Sequence, residues 1–449
     1  MSLKRFNLIL PNKKIFPFKK NIEVDSDKSI SIRSFLIGSI SKNISSANNI
    51  LESEDVLSAI KCLKKLGVKI IKKKSKNYLI YGNGLGSLLA KKNTKLNFGN
   101  SGTLARLITG ILSTTPNIDV KISGDHSLNK RSMKKLIELM SKFGTFFLPK
   151  NRFVFPLRMI SSEIPVAINY NAGVSAQLKS AVIFAALNSF GNTKIIEQEK
   201  SRDHTENMLL NNAQSIKITN GKKRIIIVSG KKFLNPININ VPGDPSSAAF
   251  FTALTLLNNN SSLKIKNVCL NPTRIGFYKL LKNHRAKIKF KNIIKKNNEY
   301  RGDILVKSSN IKPIKASGKY YVNSTDEYPI LFVIAALTKG ISIFKGIGDL
   351  ANKESNRIKE MQNILKQIGI KSISSKNQLK IFGKKAEVLK NKKITVPNLG
   401  DHRICMSTFI LAILTGNKTK IKNFETVYTS SPSFLKIMRL LGAKFAIQK

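Results

Sequence analysis

The sequence has no tryptophan, and it has only three cysteines and four histidines in 449 residues. Cys62, Cys269 and Cys405 lie far apart and are odd in number. This pattern fits neither a disulfide framework nor a metal site, and it favours a reducing compartment. The N-terminal segment lacks the apolar core of a secretory signal, and the apolar runs are too short to cross a membrane. We therefore expect a cytoplasmic protein without a bound metal ion.

Acidic residues are also few, because 25 aspartates and glutamates stand against 78 lysines and arginines, which gives a net charge of +53. Such a charge is typical of proteins that bind nucleic acids or membrane surfaces. However, 64 of the basic residues are lysines spread along the whole chain, and only 14 are arginines. Together with abundant asparagine and isoleucine, this composition indicates an AT-rich coding bias. We therefore interpret much of the charge as solvated surface, with a basic nucleic-acid-binding protein as the alternative from a different class.

With 449 residues, the chain is long enough for two domains. Its hydrophobic fraction of 42% is sufficient for folded cores. Six of its segments place a helix-capping residue before an apolar helix. They begin, 71 to 82 residues apart, at Ser26, Asn100, Gly173, Asp244, Asp326 and Asp401. A second set of six amphipathic helices alternates with the first, and each leads into a strand-like segment. Ordinary helix–strand alternation with chance spacing is the alternative, but the matched pairs favour six copies of one α/β unit.

Half of the fourteen arginines lie in or close to these predicted helix starts, namely Arg33, Arg106, Arg131, Arg202, Arg274, Arg357 and Arg403. Helix N-termini present free N–H groups and the positive end of the helix dipole, so they attract anions. Arginine binds carboxylate and phosphate with two parallel hydrogen bonds, which lysine cannot do. If several of these starts converge, they form a site for a small molecule with several negative charges. The residues alone do not yet indicate a reaction.

Nine short motifs occur in an order that is typical of one enzyme family. They are KSISIRS (28–34), GNSGTLAR (99–106), SAQLKSA (175–181), SRDHTE (201–206), VPGDPSSAAF (241–250), NPTRIG (271–276), DEYPI (326–330), KESNR (353–357) and DHRICM (401–406). Together they resemble the 5-enolpyruvylshikimate-3-phosphate synthase family over nearly the whole chain, and in particular its SAQ/RDHTE subgroup. The resemblance implies an α/β (α+β) fold with two similar domains, each of three repeated small α/β units in an inside-out α/β barrel, and an active site in the cleft between them. The first domain would comprise residues 1–25 and 243–449 and the second residues 26–242, with a hinge near residues 25 and 242.

The same resemblance implies a reaction. Phosphoenolpyruvate would transfer its enolpyruvyl group to the 5-hydroxyl of shikimate 3-phosphate and release phosphate, by addition and elimination through a tetrahedral intermediate. No metal ion or organic cofactor is expected, and the family is typically monomeric. The other enolpyruvyl transferase, which acts on UDP-N-acetylglucosamine, shares the fold and is the nearest alternative. That enzyme usually carries a reactive cysteine in a mobile loop, whereas none of the three cysteines here lies in such a loop.

The resemblance also assigns residues. Those implied for shikimate 3-phosphate are Lys28, Ser29, Arg33, Ser175, Ala176, Gln177, Ser201, Asp326 and Lys353, with Arg202 as a secondary candidate. Those implied for phosphoenolpyruvate are Lys28, Gly102, Arg131, Gln177, Arg357 and Arg403. The implied catalytic residues are Asp326 as proton acceptor, Glu354 as proton donor and Lys28, with Lys353 binding substrate and tuning Glu354. Asp326 could also cap the helix that follows it.

Some positions matter because of what the family carries there. Gly102 predicts inhibition by glyphosate, since relatives with alanine at this position tolerate the compound. The chain has Asp25 followed by serine where the family usually has a Pro-Gly pair, and Asn356 where aspartate is usual. Around Thr429 it lacks a lysine that one branch of the family uses, so no site residue is assigned there.

Overall fold

The structure, a computed structural model, describes residues 5–449. Its helices are α1 (Lys28–Ile40), α2 (Glu54–Lys65), α3 (Gly102–Ser113), α4 (His126–Asn129), α5 (Lys134–Ser141), α6 (Ala176–Leu187), α7 (His204–Leu209), α8 (Pro245–Leu257), α9 (Gly276–Lys282), α10 (Tyr321–Ser324), α11 (Tyr328–Ala336), α12 (Arg357–Gln367), α13 (His402–Thr415) and α14 (Phe434–Leu440). Its strands are β1 (Asn7–Leu10), β2 (Lys19–Glu23), β3 (Ile44–Asn48), β4 (Lys69–Lys72), β5 (Tyr78–Tyr81), β6 (Lys95–Asn97), β7 (Asp119–Ser123), β8 (Phe146–Leu148), β9 (Leu157–Ile160), β10 (Asn169–Ala172), β11 (Asn192–Glu197), β12 (Ile216–Thr219), β13 (Arg224–Ser229), β14 (Asn238–Asn240), β15 (Ser262–Cys269), β16 (Lys287–Lys296), β17 (Glu299–Lys307), β18 (Lys315–Ala316), β19 (Gly340–Lys345), β20 (Ser372–Ser375), β21 (Gln378–Gly383), β22 (Lys393–Val396), β23 (Lys418–Ile421) and β24 (Ala446–Gln448).

The strands form six four-stranded sheets with one shared topology. Their orders are β14-β3-β5-β4, β6-β7-β9-β8, β10-β11-β13-β12, β2-β15-β17-β16, β18-β19-β21-β20 and β22-β23-β1-β24. In each sheet the first strand is parallel to the second. The third strand is antiparallel to the second. The prediction of six copies of one α/β unit is therefore confirmed.

Two sets of helices accompany the sheets, as the hydrophobic pattern predicts. Every residue of α11 is buried, and α13 is buried along its whole length. A helix that is apolar on all sides must be covered on all sides. Among these helices, α3 packs against both α1 and α6, and α8, α11 and α13 pack against one another. The second set consists of the amphipathic helices α2, α5, α7, α9, α12 and α14. In α12, for example, Ile358, Met361 and Leu365 form a buried face beside exposed residues.

The described chain divides into two compact units. The first comprises the chain up to Asp25, Pro242–Lys296 and Tyr300–Lys449, and the second comprises Ser26–Val241 and Asn297–Glu299. The sequence-based division put residue 242 in the second domain and residues 243–449 entirely in the first, so it differs at Pro242 and at 297–299. The turn at 297–299 belongs to the second unit because its side chains bond there. Asn297 donates to the carbonyl of Asn238, and Glu299 Oε1 lies 2.7 Å from His204 Nδ1.

The core of the first unit is continuous and rich in aromatic side chains. Phe409 packs edge-on against Phe434 with ring centroids 5.3 Å apart, and Phe332 packs in the same way against Phe344 at 5.0 Å. Such pairs add a preferred ring geometry to the burial of apolar area.

Among residues 5–449, no helix is both long and apolar enough to cross a membrane.

Candidate active site

The second unit carries its predicted site residues in the first turns of three long helices. Asp27 caps α1 by accepting from the amide of Ile30 at 2.9 Å. Ser101 caps α3 and Ser175 caps α6, each with its hydroxyl oxygen accepting from the amide three residues later. The caps fix where each helix begins, and the first turns, whose N–H groups have no partner within the helix, carry Lys28, Ser29, Gly102, Ala176 and Gln177.

At the start of α1, Lys28 and Arg33 have different surroundings. Lys28 Nζ lies 2.9 Å from Asp55 Oδ2, and its side chain keeps 16% of its surface exposed. Arg33 is buried and uses Nε on Thr205, Nη2 on Ser180 and Nη1 on the carbonyl of Ser29, at 2.7 to 3.1 Å. Lys28 therefore offers a charge to a ligand more directly than Arg33 does, whereas Arg33 fixes the first turn of α1.

Gly102 lies against two guanidinium groups. A Cβ atom on this residue would stand 2.9 Å from Arg106 Nη1 and 3.3 Å from Arg131 Nη1. Arg106 Nη1 also donates to Gln177 Oε1 at 2.9 Å, and Gln177 Nε2 donates to Thr103 at 3.0 Å. The structure thus brings Gly102, Arg131 and Gln177 together, as the resemblance implies, and adds Arg106 to them.

Arg106 was counted among the helix-start arginines but received no role from the sequence. The spacing in GTLAR could have indicated its position, because a residue four places after Gly102 lies on the same face of α3, one turn further along. Arg131 reaches the cluster from the loop after α4, where Nη2 donates to Asn100 and, at 3.2 Å, to Ser127. Two arginines on one glycine make a cationic surface that suits an anionic group.

Behind α6 lies a cluster of four charged residues, Lys179, Glu197, Glu206 and Arg224, which we term the buried ion network. Lys179 Nζ is 2.8 Å from Glu197 Oε1 and 2.6 Å from Glu206 Oε1. Arg224 Nη1 contacts Glu197 Oε2 and lies 3.1 Å from Glu206 Oε1. The predicted site residue Ser201 joins this network, since its amide and its hydroxyl both donate to Glu197 Oε1. Arg202, the secondary candidate, follows it and is half-buried.

The network should make the chain sensitive to acid. Burial alone would raise the pKa of Glu197, but Lys179, Ser201 and Arg224 hold it below its ordinary value of 4.5. A carboxyl whose pKa is lowered by folding stabilises the native state above its unfolded pKa, and this stability is lost as the pH falls through the folded pKa. We expect the melting temperature to drop below pH 4.5, and to drop less steeply in Glu197→Gln, which is already less stable at pH 7. Calorimetry from pH 7 to 3 tests this, and equal acid slopes would contradict it.

In the first unit, the predicted site residues gather around Arg357 at the start of α12. Arg357 Nη2 lies 2.5 Å from Glu354 Oε2, and Nε lies 2.8 Å from Asp401 Oδ2. Nη1 is 3.8 Å from Asp326 Oδ1. Burial would lower the pKa of Arg357, but Asp401, Glu354 and Asp326 raise it above its ordinary value, so this buried group stays charged. The structure thus brings together the proposed acid, the proposed base and an arginine.

Asp401 connects the two predicted arginines of this unit. Besides its bond to Arg357, it caps α13 through the amide of Arg403 at 2.9 Å. Both guanidinium groups are buried, and within residues 5–449 no hydrogen-bond acceptor is placed on Nη1 of Arg357 or on Nε and Nη1 of Arg403. Buried charged donors cost free energy unless they are bonded, so these three N–H-bearing atoms are suited to an anion.

Lys353 and Asp326 lie at the partly exposed margin of this cluster. Lys353 Nζ is 2.5 Å from Asp349 Oδ2, which also accepts from the hydroxyl of Tyr321 at 2.9 Å. Glu354 is paired instead with Arg357, so the contact through which Lys353 was expected to tune Glu354 stays a prediction. The cap of α11 is Glu327, not Asp326, and it makes no side-chain cap bond.

The positions that depart from the family have local structural roles. Asn356 caps α12, since its Oδ1 accepts from the amide of Lys359 at 3.1 Å, a task that an amide oxygen performs as well as a carboxylate. Asp25 Oδ2 accepts from the hydroxyl of Ser431 and the amide of Ser433 at 2.9 and 3.0 Å. It therefore fixes the turn before α14, close to Thr429, for which no site role was assigned.

None of the three cysteines has the surroundings of a reactive thiol. Cys62, Cys269 and Cys405 are all buried, as expected for Cys62 and Cys405 from their helices. Burial raises the pKa of Cys62 to about 12, and burial likewise raises the pKa of Cys405. A reactive cysteine needs accessible thiolate character, which these two lack.

Comparison with known proteins gives consistent matches over almost the whole chain. A family model described as EPSP synthase (3-phosphoshikimate 1-carboxyvinyltransferase) matches residues 13–438. The protein named 3-phosphoshikimate 1-carboxyvinyltransferase in Petrotoga mobilis is 38% identical over 423 residues, covering 93% of this chain and 95% of its own. The protein of the same name in Bacillus subtilis is 35% identical over 424 residues, covering 94% and 97%.

Solved structures agree with these matches. The EPSP synthase from Acinetobacter baumannii has a TM-score of 0.85 and 32% identity, with 99% of this chain and 100% of that chain covered. The enolpyruvyl transferase NikO from Streptomyces tendae has a TM-score of 0.73 over 99% of both chains, but only 11% identity. The second likeness shows the shared fold alone.

Proposed function

The chain belongs to the EPSP synthase family, and on that premise we propose that it transfers the enolpyruvyl group of phosphoenolpyruvate to the 5-hydroxyl of shikimate 3-phosphate and releases phosphate. The observation that carries the proposal is the arrangement of Arg357 and Arg403 around Asp401. Both guanidinium groups are buried and charged, and they keep N–H groups free for an anion. Phosphoenolpyruvate carries both a carboxylate and a phosphate, each of which accepts paired hydrogen bonds from arginine.

Binding is divided between the two units in this proposal. Phosphoenolpyruvate binds Arg357 and Arg403 together with Lys28, Gly102, Arg131 and Gln177. Shikimate 3-phosphate binds the first turns of α1 and α6, at Lys28, Ser29, Ser175, Ala176 and Gln177, with Arg33, Ser201, Asp326 and Lys353 completing the set. The capped start of α6 supports this assignment, because backbone N–H groups and short polar side chains suit phosphate oxygens.

The chemistry requires three proton transfers, one at the 5-hydroxyl oxygen and two at C3. Asp326 accepts the proton of the 5-hydroxyl as that oxygen attacks C2 of the enol, and Glu354 gives a proton to C3. Elimination then removes a proton from C3 as the C2–O bond to phosphate breaks. Both carboxyl groups lie on Arg357, at 3.8 and 2.5 Å. A ligand anion that engages Arg357 competes with Glu354 for the guanidinium, which frees Glu354 to carry the proton that it donates.

The decisive test is phosphate release from purified protein. We expect release only when phosphoenolpyruvate and shikimate 3-phosphate are both present. Release with UDP-N-acetylglucosamine in place of shikimate 3-phosphate would keep the fold and change the substrate. No release with either acceptor would refute the proposed activity.

Gly102→Ala should weaken both phosphoenolpyruvate binding and glyphosate inhibition. The new methyl group would meet Arg106 Nη1 at 2.9 Å and Arg131 Nη1 at 3.3 Å, so both guanidinium groups must shift. These atoms are the far ends of flexible side chains, so the shift costs little stability, but it displaces groups proposed to bind phosphoenolpyruvate, and we expect KM for phosphoenolpyruvate to rise on the order of 10-fold. Glyphosate is the longer ligand, so its inhibition constant should rise further. Gly221→Ala, in an open turn of the same unit, is the control. A wild-type enzyme unaffected by excess glyphosate would contradict this prediction.

We further propose a monomeric, cytoplasmic enzyme that needs no metal ion or organic cofactor, of the SAQ/RDHTE subgroup. The +53 charge then supports only a salt-sensitive, sequence-independent association with polyanions. Sedimentation at 0.15 M and 0.5 M salt tests the monomer. Activity after treatment with a chelator tests the independence from metal.

A further inference from the structure

We propose that the buried ion network is a positioning device for the shikimate 3-phosphate end of the site, so that Lys179 and Glu197 act on substrate binding without touching the substrate. This inference rests on the proposed function. Two of the network's four members lie within the sequence motifs, although no role was assigned to them there. Lys179 lies within SAQLKSA, and Glu206 ends SRDHTE.

The network is unusual within a protein so rich in surface lysine. Among residues 5–449, Lys179 is the one lysine that is buried, with none of its surface exposed. Glu197 and Glu206 are likewise fully buried, and Arg224 is 9% exposed. Two cations and two anions make the cluster neutral as a whole. Each charge meets its partners at hydrogen-bond distance, and among the buried side-chain atoms of the network only Glu206 Oε2 makes no hydrogen bond within the described chain.

Stability alone does not account for four charges at this position. Removing charges from water costs several kcal/mol per ion, and a well-packed apolar cluster of the same volume is often as stable or more so. A buried network does, however, enforce one geometry, because a small displacement leaves a charge without its partner. The question is therefore which geometry this network enforces.

Its members are joined to three parts of the proposed substrate site. Lys179 is the fourth residue of α6, and its amide donates to the carbonyl of Ser175 at 3.1 Å, so its side chain sets the rotation of the helix turn that carries Ala176 and Gln177. Glu197, at the end of β11, holds the amide and hydroxyl of Ser201. The network therefore fixes the helix start and the loop at 198–203 relative to each other.

The third link leads to Arg33. Ser180 and Thr205 are the chain neighbours of Lys179 and Glu206, and they bond to each other at 2.8 Å. Both accept hydrogen bonds from Arg33, at 3.1 and 2.7 Å. The contacts of Arg33 and the buried ion network are thus two sets of buried polar contacts that meet on adjacent residues of α6 and α7 and together involve α1, α6, α7, β11 and β13.

Ser201 illustrates how the network acts. Lys179 and Arg224 lower the pKa of Glu197, so this residue is a carboxylate and can only accept hydrogen bonds. Ser201 is fully buried, and it donates its single hydroxyl proton in the hydrogen bond to Glu197. Toward a ligand its oxygen can then act only as an acceptor.

The test separates positioning from stability with a neutral pair of substitutions. Lys179→Met leaves the cluster with one excess negative charge, whereas Lys179→Met combined with Glu206→Gln restores neutrality and keeps Arg224, Glu197 and Ser201. We expect the double variant to recover most of the melting temperature that the single variant loses. We also expect both to bind shikimate 3-phosphate at least tenfold more weakly by calorimetry, since misplacement by about 1 Å can cost ~10²-fold.

The readouts distinguish the possible failures. KM for phosphoenolpyruvate at saturating shikimate 3-phosphate should change less than threefold in the double variant, and the exposed Lys194→Met on β11 should change neither constant. If the double variant folds and binds shikimate 3-phosphate as tightly as wild type, the network is structural only and the inference is wrong. If Lys179→Met alone does not fold, the double variant decides. If the wild type itself does not bind shikimate 3-phosphate, it is the proposed function that fails.

Discussion

Glu354→Gln is expected to lower kcat by about 10²–10⁴-fold, because a positioned general acid contributes on that scale and an amide cannot give up a proton. The change keeps the size of the side chain and a hydrogen-bond acceptor for Arg357 Nη2, which now lies 2.5 Å from Glu354 Oε2. Binding of both substrates should therefore persist while turnover is lost. Asp326→Asn should produce a loss of the same order, through failure to accept the proton of the 5-hydroxyl.

Single-turnover phosphate release, with substrate affinities measured by calorimetry, is the appropriate experiment. The matched control is Glu360→Gln, a substitution of the same type in the first turn of α12 at a position that takes no part in the proposed chemistry. Its kcat should stay within twofold of wild type. A Glu354→Gln or Asp326→Asn enzyme that turned over at nearly the wild-type rate would remove that residue from the acid–base assignment.

The second large effect is expected for Arg357→Lys. A lysine keeps the charge, but its three N–H groups share one nitrogen and lack the planar fork of the guanidinium, so in this geometry it cannot bond Asp401 and Glu354 and also present an N–H group to a ligand. A hydrogen bond to a charged group is worth about 1.5–3 kcal/mol, which corresponds to a rise of roughly 10–100-fold in KM for phosphoenolpyruvate. The melting temperature should also fall, because Asp401 is fully buried and loses part of its pairing.

Steady-state kinetics with each substrate varied in turn checks this expectation. Shikimate 3-phosphate affinity, measured without phosphoenolpyruvate, should change little. The control is Arg439→Lys on α14, where the guanidinium group is exposed and stacks on Phe445 at 4.8 Å from the ring centroid. If KM for phosphoenolpyruvate stayed at its wild-type value while the melting temperature fell, Arg357 would serve the fold and not the ligand.

The repeated architecture was predictable from sequence because its signals are local. Caps such as Asp244 and Asp401 precede apolar helices, and these cues need no knowledge of distant contacts. Helix boundaries were less accurate. The first predicted start was Ser26, whereas α1 is capped by Asp27, and the third was Gly173, whereas α6 is capped by Ser175. In both cases several capping residues occur in succession, and the choice between them is made by tertiary packing.

The candidate site was predictable only in part. That Arg357 binds an anion could be proposed from its motif, but the contact with Asp401, 44 residues away, could not. The role of Lys179 was hidden for the opposite reason. In a chain with 64 lysines, one more lysine in a helix carries no signal, and only the structure shows that this one is buried beside Glu197 and Glu206.

The position of β1 has a consequence for biosynthesis. This strand lies between β23 and β24, with Leu8 opposite both Ile421 and Ile447, so the ribosome makes its partners long after it makes the strand itself. At about 5–20 residues per second, the strand waits on the order of 20–90 s for them. The long segment 26–241, by contrast, is continuous and can collapse as it emerges. The first unit is therefore completed after the second, and its apolar strand β1 is a part of the nascent protein that a chaperone has reason to hold.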